Sequence, residues 1–320
     1  MAVGVISHLA NVSFDQVRAL ARAAERAGAD WLGLPDAFWW RDAWLLLGEA
    51  ARVTERIEIG PLVTNPYMRH LFHTVAAAAS LQDLAGKRVF VGIGAGGSEV
   101  TGAAGVSRRD APQRVQALIV LLRNVARGQP LDPASGRTLE VPLHSLPILV
   151  AGRGNGILAT AGQCADRALL WAVPTSDLAR SAAVIAAGAQ GARRAAGPAP
   201  ELIWAPLVDY GRQSRQRVHT IAAYSALNSA PDVQARWGLD RPSIDRLRER
   251  LVAGGAAAAQ ELVPAAALDD LILQDSSPTH VGVLAKELGA TSLAIPAFAI
   301  DEVEERVTWA REVLALRWSS

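Results

Sequence analysis

Three kinds of residue in this sequence could do chemistry. The first are groups able to hold or move a proton: His8, Asp36, Tyr67 and His70, each standing a few residues after a short apolar run. An imidazole, carboxyl or phenol at such a place can serve as a general acid or base. The second are turns poor in side chains, Gly94-Ala95-Gly96-Gly97 and Gly152-Arg153-Gly154. Glycine lets a backbone approach a ligand closely, and the helix that follows offers unpaired N–H groups to a phosphate. Arg153 adds a guanidinium suited to charge-assisted bonds. The third is aromatic: Trp39, Trp40 and Trp44 crowd one segment of a chain that is only 5% aromatic, and they could wall a planar substrate or pack under a loop.

Each feature also has an ordinary explanation. Asp36 could cap the next helix, His8 could be a satisfied core histidine, and a tight strand-to-helix turn needs glycine in any case. His70 and His73 lie three apart with no third ligand in pattern, so capping or solvated histidines are expected there and no metal site. Cys164 falls on an apolar helix face, and Arg108-Arg109 and Arg193-Arg194 read as solvated helix ends. Neither glycine turn is a P-loop, because no Gly-Lys-Ser/Thr follows. Gly92-Ile93-Gly94-Ala95-Gly96-Gly97 resembles a dinucleotide turn only superficially, since its strand is the fourth in the chain.

The elements that must position these residues alternate. Apolar runs at Val3–Ser7, Trp31–Leu34, Ile57–Val63, Val89–Ile93, Ile148–Ala151, Ala168–Leu170, Leu202–Asp209 and Ser292–Ile295 read as strands. Helical periodicity spans Phe14–Ala27, Asp42–Val53, His73–Leu84, Gln113–Arg127, Ile157–Cys164, Thr175–Ala196 and Asp301–Leu316. Continuous apolar strands separated by helices imply a parallel sheet covered by helices, and eight units make an α/β TIM (β/α)8 barrel. The sequence 213–274 is mostly helical and reads as an insertion between strands seven and eight, within a single domain over 1–320. In such a barrel ligands bind where the strands end, which is where the residues above fall.

Composition narrows the function classes. With 320 residues, half of them hydrophobic and a fifth charged, the chain is an ordinary globular one, long enough for a barrel of about 250 residues plus an insertion. The net charge of +1 gives no support to a nucleic-acid partner, and a single cysteine excludes a disulfide framework. Met1–Ser13 shows no secretory pattern and no apolar run reaches the ~20 residues of a membrane span, so a cytoplasmic protein is expected.

Four segments together resemble the bacterial-luciferase-like superfamily, on the side of its coenzyme F420-dependent reductases. They are 27–36 (AGADWLGLPD), 59–70 (IGPLVTNPYMRH), 91–97 (VGIGAGG) and 147–154 (PILVAGRG), and the second is similar to the methylene-tetrahydromethanopterin reductase branch. The resemblance covers about residues 3 to 170, with the region of strand eight recognisable beyond it. It implies a barrel holding F420, or alternatively FMN, at its C-terminal mouth. Asp36 would lie near the ring system, Val63, Thr64 and Asn65 along one ring face, Ala95, Gly96 and Gly97 against the cofactor, and Gly152, Arg153 and Gly154 at its phosphate. It further implies a non-prolyl cis peptide near Leu62–Val63 and a homodimer. Many F420 enzymes of this kind carry Asp-His where this chain has Asp36-Ala37, so His8, His70 or Tyr67 would have to replace the missing proton donor, if one is needed.

The expected activity is that of an F420H2-dependent reductase delivering hydride to a C=C or C=N bond of a small organic substrate. A separate enzyme would reduce its cofactor. The alternatives are an FMN-dependent monooxygenase of the same fold and a non-catalytic flavin-binding barrel.

Overall fold

The computed structural model describes residues 1–9, 11–191, 197–209 and 212–316. Eight parallel strands form a barrel: β1 (Val3–Ser7), β2 (Trp31–Leu34), β3 (Glu58–Pro61), β4 (Val91–Ile93), β5 (Ile148–Ala151), β6 (Arg167–Trp171), β7 (Glu201–Ala205) and, after an insertion holding two short strands β8 (Leu207–Val208) and β9 (Ile272–Leu273), β10 (Ser292–Ala297). Their spatial order is β3-β2-β1-β10-β7-β6-β5-β4. The circle closes between β3 and β4 through the isolated bridges Ile59–Val89 and Thr64–Ile93. This is the TIM barrel expected from the alternation.

Side chains fill the lumen in the alternating pattern of strands. Ile6, Trp31, Leu149, Leu169, Ile203 and Ala294 belong to one buried cluster inside the ring. Small residues make room for large ones. A Cβ on Gly4 would lie 1.9 Å from the Trp31 indole, so the glycine on β1 is what admits the tryptophan on β2. A larger cluster joins the outward faces of the strands to the helices: Val3, Val5, Leu32 and Leu34 on the strands meet Leu20, Leu47 and Val307.

Several elements differ from the sequence expectation. Strand seven does not run through Leu202–Asp209; it stops at Ala205, and Leu207–Val208 pairs instead with Ile272–Leu273. Pro206 lies between the two pieces and has no N–H for the ladder. Pro278–Leu288, unassigned by periodicity, is a helix capped by the Ser277 hydroxyl and closed by Gly289 at φ 73°. Of the helix expected over Thr175–Ala196, Thr175–Asp177 is 3-10 and Leu178–Gly191 is α; 192–196, with Arg193 and Arg194, lie outside the described residues.

The insertion between β7 and β10 is helical, with helices Arg212–Asn228, Pro231–Arg236, Arg241–Ala259 and Ala265–Leu271. It has a core of its own, including Leu207, Ile221, Leu247 and Leu271, to which the barrel contributes Ala172 and Phe298. Polar bonds seat it on the barrel. The Asp270 carboxylate accepts from the Ser176 backbone N–H (2.8 Å), the Ser176 hydroxyl (2.6 Å) and the Trp237 indole (3.0 Å). Among the described residues, no helix is long and apolar enough to cross a membrane.

Candidate active site

The C-terminal ends of the strands gather the polar groups. The pairing of Ile6 with Gly33 carries Ser7-His8 and Pro35-Asp36 off adjacent strands onto the same end of the barrel. Asp36 is half-buried and accepts a hydrogen bond from the Thr64 hydroxyl at 2.8 Å. Burial, the larger effect, holds its carboxyl above the usual carboxylate range, while the Thr64 bond and nearby Arg69 oppose the shift. Asp36 is not a helix cap. That role belongs to Asp42, which accepts from the N–H groups of Trp44 and Leu45 and pairs with Arg69.

After β3 the chain passes through a cis Leu62–Val63 peptide, as the resemblance implies, and rejoins the sheet at Thr64. The Thr64 N–H bonds the Gly92 carbonyl and the Gly94 N–H bonds the Thr64 carbonyl, each at 2.9 Å. Val63 is left half-buried, whereas Thr64 and Asn65 are buried. The Asn65 side-chain oxygen Oδ1 accepts from the N–H groups of Tyr67 and Met68, both at 3.1 Å, and so shapes the loop.

Beside it runs the turn 94–97. A Cβ on Gly94 would meet Val63 Cγ2 at 2.7 Å, and Gly96 has φ 76°. Ala95, Gly96 and Gly97 are all partly open to solvent, and Arg108 steadies the turn by donating to the Gly96 carbonyl at 2.7 Å. After β5, Gly152, Arg153 and Gly154 lead into helix Asn155–Cys164, whose N-terminus has no side-chain cap. The Arg153 guanidinium is engaged by protein, donating to the Ala172 carbonyl at 3.3 Å and to the Ser225 hydroxyl of the insertion at 2.9 Å.

The four proton-handling residues therefore separate. Tyr67 donates its hydroxyl to Asp110 at 2.9 Å, and burial together with that bond pushes its pKa up to about 12. His70 is exposed and caps helix Leu71–Ala85, its Nδ1 accepting from the Phe72 N–H at 3.2 Å. Asp36 and His8 remain at the strand ends. His8 stacks on Trp171 with ring centroids 5.1 Å apart and sits 5.8 Å from Phe298. Burial first, and Arg306 second, push its pKa down to about 4, so the ring is neutral at pH 7.

Of the tryptophans, Trp44 is buried, while Trp39 and Trp40 are exposed and meet edge to face at 6.3 Å. Cys164 is partly buried against the core, its thiol 3.1 Å from the Thr160 carbonyl. Sequence reasoning missed Trp171, Phe298 and Arg306, which surround His8. Local patterns carry no sign of them, because barrel closure brings them together.

Eight parallel strands closed into a ring and covered by helices define a TIM-type α/β barrel. The profile of the luciferase-like monooxygenase family matches residues 1–289, and the chain belongs to that family. Among curated relatives, a 5,10-methylenetetrahydromethanopterin reductase of Archaeoglobus fulgidus is 24% identical over 254 residues, 77% of this chain and 76% of that protein. Among solved structures, the coenzyme F420 dependent tetrahydromethanopterin reductase of Methanopyrus kandleri superposes with a TM-score of 0.78 at 19% identity, covering 98% of each chain. The monooxygenase RslO1 of Streptomyces bottropensis superposes with a TM-score of 0.61 at 16% identity, covering 98% of this chain and 99% of that one.

Proposed function

We propose that the protein is an F420H2-dependent oxidoreductase that reduces a C=C or C=N bond of a small organic substrate. The observation that carries this assignment is the half-buried Asp36 carboxyl, bonded to Thr64 and held above the ordinary carboxylate range, beside a turn at 94–97 nearly bare of side chains. The residues present fit a flat cofactor: Val63 offers a half-buried apolar surface, the turn 94–97 leaves its backbone open, and the helix after Gly154 begins with uncapped N–H groups suited to a phosphate. Bound F420H2 would supply hydride from its C5 to the electron-poor carbon.

The chain's own part is to position and to balance charge. Val63, Thr64 and Asn65 with 95–97 would fix the ring face, and Gly152 and Gly154 would approach the phosphate. Arg153 would contribute to that site as well, and its bond to Ser225 joins the 152–154 loop to the insertion. Asp36 would hold the proton that the second atom of the reduced bond receives, since a raised carboxyl pKa keeps more of it protonated toward neutral pH. This replaces the histidine that Ala37 lacks. A homodimer in the cytoplasm, served by a separate cofactor-reducing enzyme, completes the proposal.

The test is anaerobic oxidation of F420H2 with a panel of enones and imines, run beside oxygen uptake with FMNH2. Oxidation of F420H2 that requires an unsaturated compound is the expected result. Substrate-dependent oxygen uptake with FMNH2, and none of the first activity, would contradict it. That outcome would favour a monooxygenase, a reading to which the likeness to RslO1 lends support.

A further inference from the structure

The lumen cluster places Ile6, Leu149 and Leu169 inward, and one pleat further along the same strands alternation turns His8, Ala151 and Trp171 inward at the mouth. His8 is the titratable member of this top layer. Its ring lies between Trp171, at an interplanar angle of 29°, and Phe298, and its Nε2 is buried with no hydrogen-bond partner among the described residues. Buried polar atoms are nearly always paired, so an orphan at the functional end of a barrel calls for an explanation. Of the two covering rings Phe298 is buried, while Trp171 is half-exposed. Ala172, the next residue, sits at φ 47°, a left-handed conformation rare for alanine, held by its N–H to the Ala205 carbonyl and by Arg153 on its own carbonyl.

We propose that His8 is a substrate-binding residue whose Nε2 takes up an uncharged hydrogen-bonding group of the substrate. This rests on the oxidoreductase function proposed above. The strand order decides between substrate and cofactor. Thr64 and the glycine turns follow β3, β4 and β5, one continuous arc of the ring, whereas His8 and Phe298 follow β1 and β10 on the opposite arc. A planar apolar substrate with one polar atom is the chemistry that an imidazole between two aromatic rings accepts.

The surrounding charges explain why the group bound there is uncharged. Arg306 lies 4.9 Å over the Phe298 ring, bonded to the Pro296 carbonyl and paired with Glu302. Arg217 donates to the Phe298 carbonyl and Arg153 to that of Ala172. Three cations and one carboxylate thus pack around the stack, and Arg306 in particular opposes a positive charge on the imidazole. At Nε2 a neutral ring offers one hydrogen bond and no ion pair.

Two variants test the assignment. His8→Phe keeps an aromatic ring against Trp171 and Phe298 and removes the orphan nitrogen, whereas His8→Gln keeps a polar nitrogen and removes the ring. The expected results for His8→Phe are a Tm of the ligand-free protein raised by about 2–4 °C and an F420 fluorescence titration unchanged within roughly twofold. With the best substrate of the anaerobic panel, kcat/KM should fall by about tenfold or more, with most of it regained in His8→Gln. A Tm that stays level or falls would show Nε2 to be satisfied and would overturn the proposal. A tenfold loss of F420 affinity would overturn it too, by assigning His8 to the cofactor. Failure of the wild-type protein to bind F420 refutes the oxidoreductase function separately, since the Tm comparison needs no ligand.

Discussion

The two arcs of the barrel mouth are built on opposite terms. The arc of β3, β4 and β5 is poor in side chains: glycine turns, a half-buried valine and a loop shaped by Asn65 leave backbone facing the mouth. The arc of β1, β10, β7 and β6 is crowded with rings and covered by the insertion, with His8 against Trp171 and Phe298. An open, preformed surface suits a cofactor that every turnover shares. A packed aromatic layer under a helical insertion suits a substrate.

The largest expected effect falls on the arc of glycines. Gly96→Asp adds a side chain and a charge beside Asn65 and Thr101 and should weaken F420 binding by roughly 100-fold, about 3 kcal/mol, in a fluorescence titration. Retained affinity would break the division of the mouth into two arcs. Asp36→Ala, at the boundary between them, should lower turnover by about 10²–10⁴ while changing F420 affinity less than tenfold. An equal loss in both measurements would make Asp36 a binding group only.

The covered arc is predicted to carry a pH signature that the open arc lacks. The His8 pKa is about 4 when folded against an ordinary 6.5, so the unfolded chain binds the proton more readily. Above pH 6.5 both states are neutral and His8 has no effect. As pH falls from about 6.5 toward 4 stability drops, by roughly 3 kcal/mol in all, and below 4 the loss levels off. Denaturant unfolding between pH 7 and pH 4 should show this slope in the wild type, and His8→Phe should remove it. A slope that survives the substitution would assign it to another group.

The smallest effect concerns the seating of the insertion. Asp270→Ala strips the acceptor from Ser176 and Trp237 and should cost about 1–3 kcal/mol of stability, with F420 binding little changed. A large loss of F420 affinity instead would join the insertion to the cofactor arc.

Legibility in the sequence followed the same division. Val3–Ser7, Trp31–Leu34 and Ile148–Ala151 are strands at the bounds their apolar runs indicate, because buried parallel strands are continuous stretches of large apolar residues. The glycine turns and the cis bond at Leu62–Val63 lie in contiguous segments with a recognisable pattern. The covered arc is assembled from distant residues. Nothing near His8 in the chain announces Trp171 or Phe298, and nothing near Asp270 announces Ser176. The helix Pro278–Leu288 had readable ends in Ser277-Pro278 and Gly289, but its apolar pattern was overshadowed by the long helical stretch before it.

The division of the mouth is tested most directly by titrating the purified protein with F420 and, separately, with FMN at equal concentrations, following cofactor fluorescence in the wild type, Gly96→Asp and His8→Phe. F420 should bind more tightly than FMN, lose its affinity in Gly96→Asp and keep it in His8→Phe. Tighter binding of FMN, or an F420 affinity lost in His8→Phe and kept in Gly96→Asp, would contradict the account.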